Sequence, residues 1–114
     1  MNDFKIYNKS KYLIIYMEKY IINNIPKIHY LYRKGLEESV INLNYYLIKS
    51  NINTGNIRNK YQKEVLTSIY MIDTYIGILL HLNIISKKRF ITFVRMLNEI
   101  RKMCLSWINN EESK

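Results

Sequence analysis

Apolar side chains recur at intervals of three and four residues along four separate stretches of this 114-residue chain, and strict every-second-residue alternation is scarce. The first period lays an apolar stripe along a helix, whereas a half-buried strand needs a period of two. The first stretch runs through Tyr12, Leu13, Tyr16, Met17, Tyr20 and Ile21, with Ser10 placed to cap its start and Asn23-Asn24 to end it. Pro26 suits the first turn of a second helix that carries Leu31, Leu36, Val40, Leu43 and Leu47 as far as Lys49. Ser50 to Asn56 is made of turn-forming residues and reads as a loop. A third helix from about Ile57 places Tyr61, Val65, Ile69, Ile72, Ile76 and Leu79 or Leu80 on one face. Its second half, Ile69 to Leu82, is apolar nearly all round, which predicts burial on more than one side. Ser86 then caps a fourth helix with core positions Phe90, Phe93, Val94, Leu97, Ile100, Cys104 and Trp107.

Four such segments joined by short connections predict an all-α protein, an antiparallel up-down-up-down four-helix bundle over residues 10–110. Residues 1–9 read as a polar N-terminal extension and 111–114 as a polar tail. The apolar surface exceeds what one small core can use, which predicts a homo-oligomer that closes over the remainder. The run Met71 to Ser86, poor in charge, contains Asp73 and His81 and falls short of a membrane span. The N-terminus lacks a basic start followed by an apolar run, which predicts no signal peptide and a cytoplasmic protein.

Enzyme chemistry finds little to work with. The one cysteine, Cys104, rules out an internal disulfide or a cysteine-rich zinc site, and His29 and His81 have no ligand spacing around them. Gly35, Gly55 and Gly77 never fall in a phosphate-cradling pattern. The expectation is a protein without catalytic residues, metal or cofactor. Asp73, in the apolar part of the third helix, needs a partner that Arg101 or His81 could supply. Trp107 reads as a packing anchor and Cys104 as a small core residue.

Charge points to a polyanion. Eighteen Lys and Arg against nine Asp and Glu leave a net +9, enough to create an attractive field for nucleic acid. Lysine and tyrosine counts are discounted, since 20 Ile, 14 Asn, 13 Lys and no Ala are what an A/T-rich genome encodes. The five arginines run against that drift. Lys88, Arg95 and Lys102 recur every seven residues in one stripe of the fourth helix, which Asn109 extends. Lys87, Lys88 and Arg89 occupy that helix's first turn, where the dipole disfavours cations and an anion would meet free N–H groups. Lys27, His29, Arg33 and Lys34 form a second cluster, Lys27 and Lys34 sharing a face at i and i+7. Tyr30 and Tyr32 stand beside them, either to stack on unpaired bases or to pack in the core. The candidate nucleic-acid contacts are therefore Lys27, Arg33, Lys34, Lys87, Lys88, Arg89, Arg95 and Lys102. A solvated helix face is the competing reading.

The run Ile84-Ile85-Ser86-Lys87-Lys88-Arg89-Phe90, followed by Leu97-Asn98-Glu99-Ile100 and Trp107, resembles the C-terminal signature of the accessory variability determinant (Avd) proteins of diversity-generating retroelements. In that family the third helix ends in L-x-I-I-S-x-x-R/Q-F/Y and the last helix carries N/D-E-I-G-x-x-L-G-G-W. Ile25-Pro26-Lys27-Ile28-His29 with Leu36-Glu37-Glu38-Ser39-Val40 is similar to the family's second-helix opening. The resemblance spans residues 12–109. Arg101, Leu105 and Ser106 stand where the pattern has glycines, and Gly35 where it has an arginine. The resemblance implies a homopentameric basic barrel that does no chemistry and partners a reverse transcriptase and retroelement RNA, possible cDNA included, during mutagenic copying. A related group, the self-assembling four-helix bundles encoded in intervening sequences of ribosomal RNA genes, shares the fold and supplies the alternative.

Overall fold

The computed structural model describes residues 4–112, with side chains through residue 110. Four helices account for most of it: α1 (Lys5–Tyr20), α2 (Tyr30–Ile52), α3 (Gly55–His81) and α4 (Lys87–Glu112). No strand occurs among the described residues. They form a four-helix bundle of 47 × 22 × 21 Å in which α1 packs on α2 and α4, and α3 on α2 and α4. The core is one layer of interlocked stripes: Leu13 and Met17 from α1, Leu36, Val40, Leu43 and Leu47 from α2, Val65, Ile69, Ile72, Ile76 and Leu79 from α3, and Phe93, Leu97, Ile100 and Cys104 from α4. None of the described helices is long and apolar enough to cross a membrane.

The helix ends depart from expectation, each for an identifiable reason. α1 begins at Lys5, so residues 5–9 belong to the bundle and Ser10 is not a cap; residues 1–3 lie outside the described residues. Ile6, Ser10, Leu13 and Met17 form one buried stripe, and the Ser10 hydroxyl donates to the Tyr7 carbonyl (2.8 Å) while accepting from Asn44 Nδ2 (2.8 Å). Burial of Ile6 outweighs the capping preference of Ser10. Pro26 is extended, with ψ 153°, and precedes a 3₁₀ turn, Lys27–His29, rather than opening α2. Leu31 is 71% exposed because the stripe traced back from Leu36 lands on Tyr32, which packs against the core.

The anticipated loop over 50–56 shrinks to Asn53 and Thr54. Helix α2 persists because its terminal polar side chains bond backwards, Ser50 Oγ to the Tyr46 carbonyl (2.7 Å) and Asn53 Nδ2 to the Lys49 carbonyl (2.8 Å). Arg58 from α3 then donates to the Ser50 and Asn53 carbonyls at 2.9 and 2.7 Å, serving acceptors that a helix end leaves open. Gly55 takes φ +60° at this corner, a conformation that costs glycine little.

Along α3 the second half is buried on one side only, for Tyr70 is 67% and Met71 40% exposed. At Gly35 in α2 the Tyr75 side chain of α3 lies close enough that a Cβ would overlap its ring. Ser86 caps α4 as expected, its Oγ accepting from the Arg89 N–H at 3.2 Å. The backbone of α4 continues to Glu112, so the anticipated tail at 111–114 is helical over its first two residues; 113 and 114 lie outside the described residues.

Candidate nucleic-acid interface

Helices α1 and α4 run antiparallel in a register that four contacts define. Phe4 meets Trp107 edge-on at 5.7 Å, Lys9 Nζ reaches Glu99 Oε2 at 2.7 Å, Tyr16 lies 6.5 Å from Phe93, and the Arg89 guanidinium sits 4.3 Å over the Tyr20 ring. The pair therefore presents one continuous surface from end to end of the bundle.

Lys88, Arg95 and Lys102 are all exposed on α4, and none has an ion-pair partner among the described residues. Fourteen residues at 1.5 Å each spread them over about 21 Å. Lys87 is also exposed at the start of the helix. Arg89 is half-buried against Tyr20, which itself leans on Tyr16 at 4.9 Å. Glu99 is the acidic group within this stripe, and Lys9 answers it. Its carboxyl is held below the ordinary carboxylate range by the hydrogen bond and charge of Lys9 first, then by Arg95 and Lys102. Lys9 and the neighbouring Lys5 thus belong to the same surface, although no spacing within α1 singles them out.

The second cluster divides. Lys27 is exposed in its 3₁₀ turn and unpaired among the described residues, near the end of the bundle where α4 starts. It does not share a helical face with Lys34, because the turn and His29 at φ −102°, ψ 27° interrupt the α-helical phase. Arg33 pairs with Glu37 at 3.4 Å and Lys34 with Glu38 at 3.9 Å, so both cations are offset one turn away. Tyr30 is exposed, whereas Tyr32 packs against the core beside His29.

The remaining arginines are committed to the fold. Arg101 joins Asp73 across α3 and α4 and also contacts Asn98, the pairing expected for Asp73, while His81 is exposed at the end of α3. Arg58 lies over the Trp107 ring at 5.4 Å while it closes the α2–α3 corner. Cys104 is fully buried, and that burial pushes its thiol up to about 12. Among the described residues, no group of three or more His, Cys, Asp or Glu could hold a metal ion.

On the outer side of α2 a different surface appears. Ile41, Tyr45, Ile48 and Ile52 follow one another at intervals of four, three and four, and are 50, 49, 39 and 69% exposed. The molecule thus has a cationic side on α1 and α4 and an apolar stripe on α2. It is, by fold and surface, a basic four-helix bundle. No protein-family model, curated protein or solved structure matches the chain.

Proposed function

We propose that this protein is a noncatalytic, RNA-binding accessory protein of a diversity-generating retroelement, bridging reverse transcriptase and template RNA during mutagenic copying. The observation that carries the binding part is the line of exposed cations Lys88, Arg95 and Lys102 on α4, without ion-pair partners among the described residues and joined by Lys87 and Arg89 at its start. Such a line neutralises phosphates without reading bases, so the polymerase and the RNA's own shape supply specificity. The retroelement assignment rests on the resemblance around Ser86, Asn98-Glu99-Ile100 and Trp107. It is tested by reconstituting cDNA synthesis from reverse transcriptase, template RNA and this protein. Synthesis that requires the protein, in a form with parental binding, supports the reading; equal synthesis without it refutes the reading.

The α2 stripe favours self-assembly, either as the pentameric barrel of the resembling family or as the main role of an interaction bundle of the ribosomal intervening-sequence type. Four exposed apolar residues in register are what a helix needs to bury against a neighbour. Light scattering decides: assembly that Ile48→Lys abolishes supports the stripe as a subunit contact, and a monomeric parent at micromolar concentration removes assembly from the account.

A further inference from the structure

At the end of the α1–α4 surface remote from Lys88 lies a cavity of about 260 Å³, lined by Phe4, Lys5, Ile6, Asn51, Arg58, Met103 and Trp107. Its walls combine aromatic and aliphatic carbon with one amide and two cations. Arg58 is engaged with α2 carbonyls and with Trp107, so it acts as wall. Asn51 is the unusual element. Its Oδ1 is sealed from solvent and accepts no hydrogen bond among the described residues. A buried acceptor in that condition is costly, and turning the amide about Cβ–Cγ would only seal its NH2 in the same place, so the N–H donors of Asn51 are the groups left for the cavity it lines.

The volume is below the range of roughly 300–1,000 Å³ usual for drug-sized ligands, so the cavity admits one ring system rather than a whole cofactor. With Oδ1 sealed, the amide offers its N–H donors, the complement of the acceptors that an unpaired nucleobase carries along its edge. Phe4 and Trp107 contribute aromatic carbon to the wall, with Arg58 over the Trp107 ring at 5.4 Å and Tyr7 stacked on Phe4 at 6.0 Å. Lys5, an exposed residue, is part of the lining, and Lys9 follows it one turn along α1 beside Glu99 of α4. We propose that this cavity receives a single unpaired base of an RNA strand whose phosphates lie along α1 and α4, the Asn51 amide pairing with the base edge beside Trp107. The inference rests on the RNA-binding reading above and adds that a single strand is favoured, because extruding a base from a duplex costs about a few kcal/mol of unstacking and unpairing that an unpaired base does not spend.

Trp107 is the one tryptophan of the chain, so its emission reports the cavity directly. The full-length protein is titrated with a short single-stranded RNA and, separately, with the blunt duplex formed by that RNA and its complement, following binding by anisotropy of a labelled strand and Trp107 emission in parallel. The expected result is salt-dependent binding of both, with Trp107 quenched about twofold or more by the single strand alone. Asn51→Leu should lower single-strand affinity by about tenfold and remove the quenching while duplex binding persists. Lys5→Glu, an exposed change that spares the packing, should weaken the quenching as well. Single-strand binding with unchanged Trp107 emission, or parental quenching in both variants, overturns the cavity as a base site and leaves the RNA-binding reading intact. Absence of binding by either RNA instead refutes that reading, and the base site with it.

Discussion

The Arg89 guanidinium lies 4.3 Å above the centroid of the Tyr20 ring and so ties the first turn of α4 to the last turn of α1. The contact does two things at once. It holds together the end of the bundle where the cations gather, and it orients a charged group whose neighbours Lys87 and Lys88 remain free among the described residues. A planar guanidinium stacks where an ammonium does not. Arg89→Lys should therefore keep the net charge and part of the ion–ring attraction but lose the flat stacking, at a cost of at most about 0.5–1 kcal/mol, the worth of a whole exposed cation–π pair. Thermal unfolding followed by circular dichroism checks this: a fall of a few degrees is expected, and an unchanged midpoint would show that the stack contributes nothing.

Gly35 and Tyr75 make a second test, in which one substitution changes sign with its neighbour. In a helix, Gly→Ala gains about 0.8–1 kcal/mol of propensity. At Gly35 the added methyl would overlap the Tyr75 ring, so Gly35→Ala alone should destabilise the protein despite that gain. In a Tyr75→Ala background the clash is gone and the same change should stabilise. Denaturant unfolding of the four proteins of the cycle measures both effects. Destabilisation of similar size in both backgrounds would mean that the ring is not what excludes a side chain at position 35.

A buried amide supplies the third. Gln62 is fully buried in the α3 core stripe, and neither Nε2 nor Oε1 has a hydrogen-bond partner among the described residues. Such burial costs about 1–3 kcal/mol by protein mutational data. Gln62→Met keeps the length and removes the polar atoms, so stability should rise by about that amount, read as a higher denaturant midpoint at unchanged slope. A lower midpoint would show that the amide is satisfied in solution.

These residues also mark what the sequence could and could not reveal. The four helices were legible because Leu36, Val40, Leu43 and Leu47, or Phe93, Leu97, Ile100 and Cys104, keep a helical period that only one kind of element can bury. Helix ends were not. Ser10 and Ser50 have the chemistry of caps and turns, but tertiary burial and back-bonding to carbonyls keep both inside helices. Arg58 lengthens α2 from the following helix, and its bonds to Ser50 and Asn53 cannot be read from local spacing. The stripe of Lys88, Arg95 and Lys102 was visible as a seven-residue repeat, whereas Lys9 joins it only through the register of α1 on α4. Glu37 and Glu38 stand at i+4 from Arg33 and Lys34, a spacing visible in the sequence that reduces the weight of that cluster. The cavity around Trp107 draws on all four helices or their flanks, and no single stretch carries its signature.

RNA affinity measured at two salt concentrations, for the parent and for Lys88→Glu/Arg95→Glu, tests the central claim most directly. If about four phosphates are neutralised along α4, single-strand affinity should fall roughly 100-fold between about 50 and 300 mM salt, through counterion release. The double variant, with both charges reversed at exposed positions, should bind far more weakly at the lower salt while keeping the parental helical signal and oligomer size. Parental affinity in that variant, or an affinity nearly indifferent to salt, would contradict the account and leave the basic surface of α1 and α4 as a solvated helix face.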